Sequence, residues 1–127
     1  MTDAPGPEAE FRAHLAQGRF MLQRSAATGA YMFPPRTAAP GTGARDLEWT
    51  PASGKGVVYA TTVSRRRPEQ GGPVNIALIE LAEGPRMMSR VDGVAPEDVA
   101  IGMPVRARIE EVLGDLAVVW IPAEDAA

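Results

Sequence analysis

The chain has 127 residues, with 13 basic and 16 acidic side chains and no cysteine. That length suits one domain with at most a small appendage, and the absence of thiols excludes disulfides, thiolate metal sites and a cysteine nucleophile. The single histidine excludes a multi-histidine metal site, and the net charge of −3 argues against a protein that holds nucleic acid mainly by neutralising phosphates.

Residues 1–18 read as a frayed tail followed by a short helix from Pro7 to Gln17. Pro7 suits a first helical turn, Glu8 and Glu10 favour its positive end, and Gly18 suits its stop. Phe11 and Leu15 lie four apart and share one face. A helix this short does not persist alone in water, so that face must dock. The first 20 residues hold acids and no apolar core of signal-peptide length. The longest apolar run, Leu116 to Pro122, is too short to span a bilayer. The expectation is a soluble cytoplasmic protein with no membrane contact.

Residues 19–53 form a second region. Arg19 to Arg24 can be a strand, Ser25 to Gly29 has tight-turn composition, and Ala30 to Phe33 can return as a second strand stopped by Pro34 and Pro35. Thr37 to Ala44 is small, polar and turn-rich, and the stretch ends on Leu47-Glu48-Trp49. This region has few large apolar residues and would be marginal alone.

Residues 54–127 read as mainly β. The segment Lys55 to Ser64 is dense in β-branched and aromatic types, and Val74 to Leu81 has apolar residues on both phases. Arg86 to Val91 is a third strand. Val105, Ala107 and Ile109 alternate with Arg106, Arg108 and Glu110, which places the first three inward. Gly114-Asp115 turns the chain into a fifth strand, Leu116 to Ile121, and Pro96 to Val99 forms a helical turn between strands three and four. Five strands with that insert suit a small barrel of the OB type; a five-stranded sandwich is the alternative.

Chemistry-bearing patterns are sparse. There is no phosphate loop, nucleophile elbow or dinucleotide fingerprint. Arg65-Arg66-Arg67 could grip the phosphates of coenzyme A or of a nucleic acid, against the simpler reading of a solvated loop. His14 and Glu10 are an i, i+4 pair, more readily a surface contact than an acid–base couple. Glu83 lies in a turn and suits a structural hydrogen bond. Met87, Met88 and Met103 suit either a core or a soft partner surface.

The spacing of larger motifs carries more. Arg24-Ser25-Ala26-Ala27-Thr28-Gly29 is followed by Pro34-Pro35-Arg36 and Ala39-Pro40-Gly41-Thr42. Downstream come Ser53-Gly54-Lys55-Gly56, Leu81-Ala82-Glu83-Gly84-Pro85 and Ile101-Gly102-Met103-Pro104-Val105. In this order the motifs resemble a bacterial and archaeal domain-of-unknown-function family that joins a rubredoxin-like zinc ribbon to a C-terminal OB-fold. The resemblance places the family's four zinc cysteines at Ser25, Thr28, Ala39 and Thr42, so it implies a degenerate, metal-free ribbon. Hydroxyls and a methyl group do not replace thiolates for zinc. Tyr31, Met32, Phe33 and Trp49 must then pack on the barrel, the helix or another chain.

The resemblance implies a non-catalytic auxiliary protein that binds acyl-CoA or docks on a thiolase-type or other acyl-CoA enzyme. It needs no cofactor; acyl-CoA would be its ligand. Phe11, Tyr31, Phe33 and Trp49 are the expected docking residues, and another copy of the chain is an alternative partner. The competing reading is a single-strand nucleic-acid binder, which needs a basic groove with stacking aromatics. Residues 57–127 instead hold seven arginines against eleven acids, and only Tyr59 and Trp120 as aromatics. A small enzyme ranks last, because no catalytic constellation is present.

Overall fold

Helix α1 spans Pro7–Ala16, begins at its proline and ends where Gly18 adopts φ +77°. Phe11 and Leu15 are its buried residues. It packs on strand β1, Met21–Ser25, and on β8, Asp115–Pro122, so its apolar face finds the cover its length requires. In this computed structural model the described residues are 6–38, 45–65, 67, 69, 71–112 and 114–123.

The first sheet has the order β2-β1-β3, with β2 at Tyr31–Met32 and β3 at Leu47–Pro51. β3 is a strand where the sequence reading assigns no element, after the turn-rich stretch Thr37 to Ala44, of which residues 39–44 lie outside the described residues. It pairs antiparallel with β1 in continuous register from Met21↔Pro51 to Ser25↔Leu47. The alternation Leu47-Glu48-Trp49-Thr50 carried the strand signal. Strand β1 also begins two residues later than Arg19, because Arg19 closes the helix end through its N–H to the His14 carbonyl.

The second sheet contains β4 (Lys55–Ser64), β5 (Val74–Leu81), β6 (Arg86–Ser89), β7 (Pro104–Val112) and β8, in the order β6-β5-β4-β7-β8. It curls until its edges approach. The third strand ends at Ser89 rather than Val91. There the chain leaves β5, and Val91 forms a parallel bridge with Trp120 of β8. The Val91 N–H donates to the buried Asn75 Oδ1 (3.0 Å), and Ser89 Oγ donates to the Val118 carbonyl (2.7 Å). The 3-10 turn Pro96–Asp98 falls between β6 and β7. This is the expected OB-fold and not the sandwich.

The core is continuous across the regions. Phe11, Leu15 and Leu22 belong to the same buried cluster as Val58, Ile79 and Trp120. Val105 is buried on β7, while Ala107 and Ile109 are half-buried against the cluster and Arg106 and Arg108 point to solvent. Glu83 Oε2 accepts the Ser53 N–H (2.6 Å) and ties the β5–β6 turn to the approach of β4. Among the described residues no helix is long and apolar enough to cross a membrane.

Candidate functional site

Phe11 is buried and is the hub of an aromatic cluster. Its ring lies 5.6 Å from Phe33, 6.3 Å from Phe20 and 6.3 Å from Trp49. Trp49 Nε1 donates to Glu10 Oε1 (3.1 Å), and the His14 ring lies 5.2 Å from the indole. Glu10 and His14 therefore flank Trp49 rather than forming an acid–base couple. Tyr31 carries the Arg24 guanidinium 5.9 Å from its ring centre. Phe33, Tyr31 and Trp49 are half-buried; Phe33 and Trp49 pack on Phe11, whereas the ring partner of Tyr31 is Arg24. Buried Gln23 fixes the adjoining loop by donating to the Arg36 carbonyl (2.7 Å) and accepting the Arg36 N–H (2.6 Å).

Where α1 and the ribbon loop meet the barrel they leave a cleft of about 440 Å³. Phe11, Phe33, Pro34 and Pro35 line one wall, and Met88 and Leu116 belong to the other. Met88 is 74% exposed and Leu116 is 40% exposed, whereas neighbouring Met87 is buried. The apolar surface continues from Met88 across β5 and β4. Met88 pairs with Leu78, and β5 and β4 contribute exposed Ile76, Val57 and Tyr59. Arg86 stacks 3.7 Å over the Tyr59 ring and pairs with Glu80 at 3.4 Å. Exposed apolar side chains grouped on one face of a small domain are a feature of surfaces that meet another molecule, and here the Glu80–Arg86 pair lies among them.

A second cleft, of about 630 Å³, separates the ribbon from β7. Arg19, Phe20, Met21, Ala107, Arg108 and Ile109 are among its lining residues. Arg65 and Arg67 are exposed and line neither cleft; Arg66 lies outside the described residues. Of the two barrel aromatics, Trp120 is fully buried, and Tyr59 is exposed with Arg86 stacked over one face of its ring.

Of the four ribbon positions, Ala39 and Thr42 lie outside the described residues. Ser25 is 1% exposed, and its Oγ donates to the Asp46 carboxylate at 3.1 and 3.2 Å. Asp46 Oδ2 accepts the Ala27 N–H (2.7 Å), and Ser25 Oγ accepts the Thr28 N–H (3.3 Å). The Ala27 N–H, helped by the Ser25 hydroxyl against partial desolvation, holds the Asp46 carboxyl below its usual range. Three hydroxyls and an alanine are not the donor set of a zinc ribbon, and Ser25 is already committed to Asp46. The residues do not fit the metal.

The family model described as ChsH2, C-terminal OB-fold domain, matches residues 49–110. The chain is 37% identical over 91 residues to the probable enoyl-CoA hydratase alpha subunit of Thermomonospora curvata, which covers 70% of this chain and 28% of that protein. It is 38% identical over 80 residues to a DUF35 domain-containing scaffold protein of Pyrococcus furiosus, covering 61% of this chain and 59% of the relative. It thus spans less than two thirds of either relative's length. A chain of the Ltp2-ChsH2(DUF35) aldolase superposes with a TM-score of 0.81 and 30% identity, covering 96% of this chain and 98% of that one.

Proposed function

The chain belongs to the DUF35 family, and from that premise we propose that it is a non-catalytic partner subunit of a thiolase-type or other acyl-CoA-processing enzyme. The observation that carries the reading is the likeness along almost the whole chain to a component of the Ltp2-ChsH2(DUF35) aldolase. The enoyl-CoA hydratase alpha subunit among the relatives supports the same enzyme class. The partner seats on the cleft between α1 and the barrel, with Phe33, Met88 and Leu116 as contacts, and the Val57–Tyr59 surface extends the footprint. Phe11, Tyr31 and Trp49 serve the docking by shaping the wall behind Phe33. Truncating a central anchor of an interface costs about 2 kcal/mol or more, a loss of about 30-fold in affinity.

Acyl-CoA is the proposed ligand of the assembly. Arg65, Arg66 and Arg67 are one candidate grip for its phosphates, and Arg19 beside the larger cleft is another.

The test is affinity capture with the tagged chain from native lysate, with captured proteins identified by mass spectrometry. Recovery of an acyl-CoA-processing enzyme by the wild type, lost with Met88→Asp and Leu116→Asp, supports the reading. Recovery of single-stranded nucleic acid with no such enzyme overturns it. Calorimetry with acetyl-CoA, using Arg19→Ala and an Arg65→Ala, Arg67→Ala double variant, separates the two grips. No heat of binding to the chain alone assigns the coenzyme to the partner.

A further inference from the structure

The ribbon turn is closed by a side chain that no metal pattern includes. Ser25 ends β1 and Asp46 precedes β3, 21 residues later. Their contact is part of a set of bonds that all converge on the same turn. The Asp46 carboxylate takes the Ser25 hydroxyl and the Ala27 N–H, and its carbonyl takes the Ala26 N–H at 3.2 Å. Ser25 Oγ in turn accepts from the Thr28 N–H, and the Ser25 carbonyl accepts from the Gly29 N–H at 2.8 Å. Thr28 Oγ1 accepts the Ala30 N–H at 3.2 Å. Five consecutive amides, from Ala26 to Ala30, thereby have acceptors among Ser25, Thr28 and Asp46. A metal in a ribbon ties the turn of one strand pair to a distant segment. The Asp46 contacts make the same kind of tie with oxygen and nitrogen alone.

We propose that the Ser25–Asp46 pair is a clasp that holds this ribbon shut in place of a metal ion. The charged acceptor gives the clasp its strength, since hydrogen bonds to an ionised carboxylate are stronger than those between neutral groups. Its Ser25 end is nearly fully buried, while Asp46 itself is half-buried. Trp49 stands on β3, which the clasp joins to β1, and packs on Phe11. The clasp therefore keeps the aromatic cluster around Phe11 in place with no demand for zinc. The inference rests on the ribbon geometry and stands whether or not the chain has an enzyme partner.

Amide hydrogen exchange on the full chain tests it, with the wild type, Asp46→Ala, Asp46→Asn and Ser25→Ala. Exchange at the Ala27 and Thr28 amides should accelerate by about tenfold or more in Asp46→Ala, the effect of losing one charged hydrogen bond. Asp46→Asn keeps one acceptor and should fall between. Amides of Val58 and Ile79 in the barrel should exchange as in the wild type, and a chelator should change none of these rates. Unchanged ribbon exchange in Asp46→Ala would overturn the proposal. So would loss of ribbon protection in the wild type on adding chelator. Equal loss at barrel and ribbon in all three variants would also overturn it, since Asp46 would then support the whole fold rather than the ribbon.

Discussion

Gly56 lies directly beneath the indole of Trp120: a Cβ built on the glycine would stand 3.2 Å from Cζ3 of the ring. The same Cβ would meet Ile79 Cγ2 at 2.7 Å and the Glu80 carbonyl at 3.1 Å. Trp120 is 0% exposed and Ile79 is 0% exposed, so neither side chain has open space to move into. The glycine is required by close approach, and its φ lies outside the left-handed region. Gly56→Ala should destabilise the chain by about 1–3 kcal/mol through overpacking. Urea unfolding followed by tryptophan fluorescence would measure it, and an unchanged midpoint would show that the barrel relaxes around the methyl group.

Burial separates two isoleucines that the strand pattern treats alike. Ile79 sits at the centre of the cluster and Ile109 at its margin. Ile79→Ala should cost about 2–5 kcal/mol, and Ile109→Ala less, because a half-exposed site loses less transfer energy and leaves a cavity open to water. Equal midpoint shifts in denaturant titrations would contradict this ordering.

The helix is expected to melt with the barrel. Phe11 contacts ribbon aromatics and shares the cluster with Val58 and Trp120. Phe11→Ala should cost about 3 kcal/mol or more and shift one cooperative transition. Helical ellipticity lost well below the barrel's melting temperature would show that α1 docks as a separate unit.

Asp46 gives the ribbon a dependence on acid. Its carboxyl titrates below the usual range, chiefly because the Ala27 N–H favours the charged form. A depressed value in the folded state adds stability above the unfolded value of about 4, and that stability is lost as pH falls through the lower folded value. Ribbon protection, read by exchange at Ala27, should decline below about pH 4 in the wild type. In Asp46→Asn the decline should flatten. An identical acid limb in both proteins would assign the effect to other carboxylates.

Arg86 illustrates a surface contact of modest weight. Its guanidinium lies over Tyr59 and its ion pair with Glu80 is exposed. Arg86→Ala should change stability by less than about 1 kcal/mol. Urea titration of the wild type and the variant checks this, and a larger loss would show that the stack over Tyr59 supports the fold.

The long barrel strands were legible in the sequence because their signal is local. The β-branched run Lys55–Ser64 and the apolar Val74–Leu81 carry strand chemistry residue by residue, and the structure keeps both spans. Phe11 and Leu15 were legible as a face because four-residue spacing fixes them on one side of a helix. Asp46 escaped because its partners lie on a different strand and no spacing rule links them. The exposure of Met88 beside buried Met87 escaped as well. Two adjacent methionines have no intrinsic preference for face, and the curl of the sheet decides which of them meets solvent. Arg65 and Arg67 stand in the loop where the sequence put them, but the fold brings neither cleft to them.

Helix α1 docks on strand β8, so residues 7–16 and 115–122 close the same core. A ribosome must therefore deliver β8 before Phe11 and Leu15 can be fully covered. Contacts of such sequence separation slow folding, since a long loop must close before burial rewards it. During synthesis the helix face and the apolar sides of β4 and β5 stay open to other molecules. The nascent chain is thus most prone to aggregation in the interval before β8 emerges. Its yield in cells should depend more on translation rate and chaperone supply than a chain of this size would suggest.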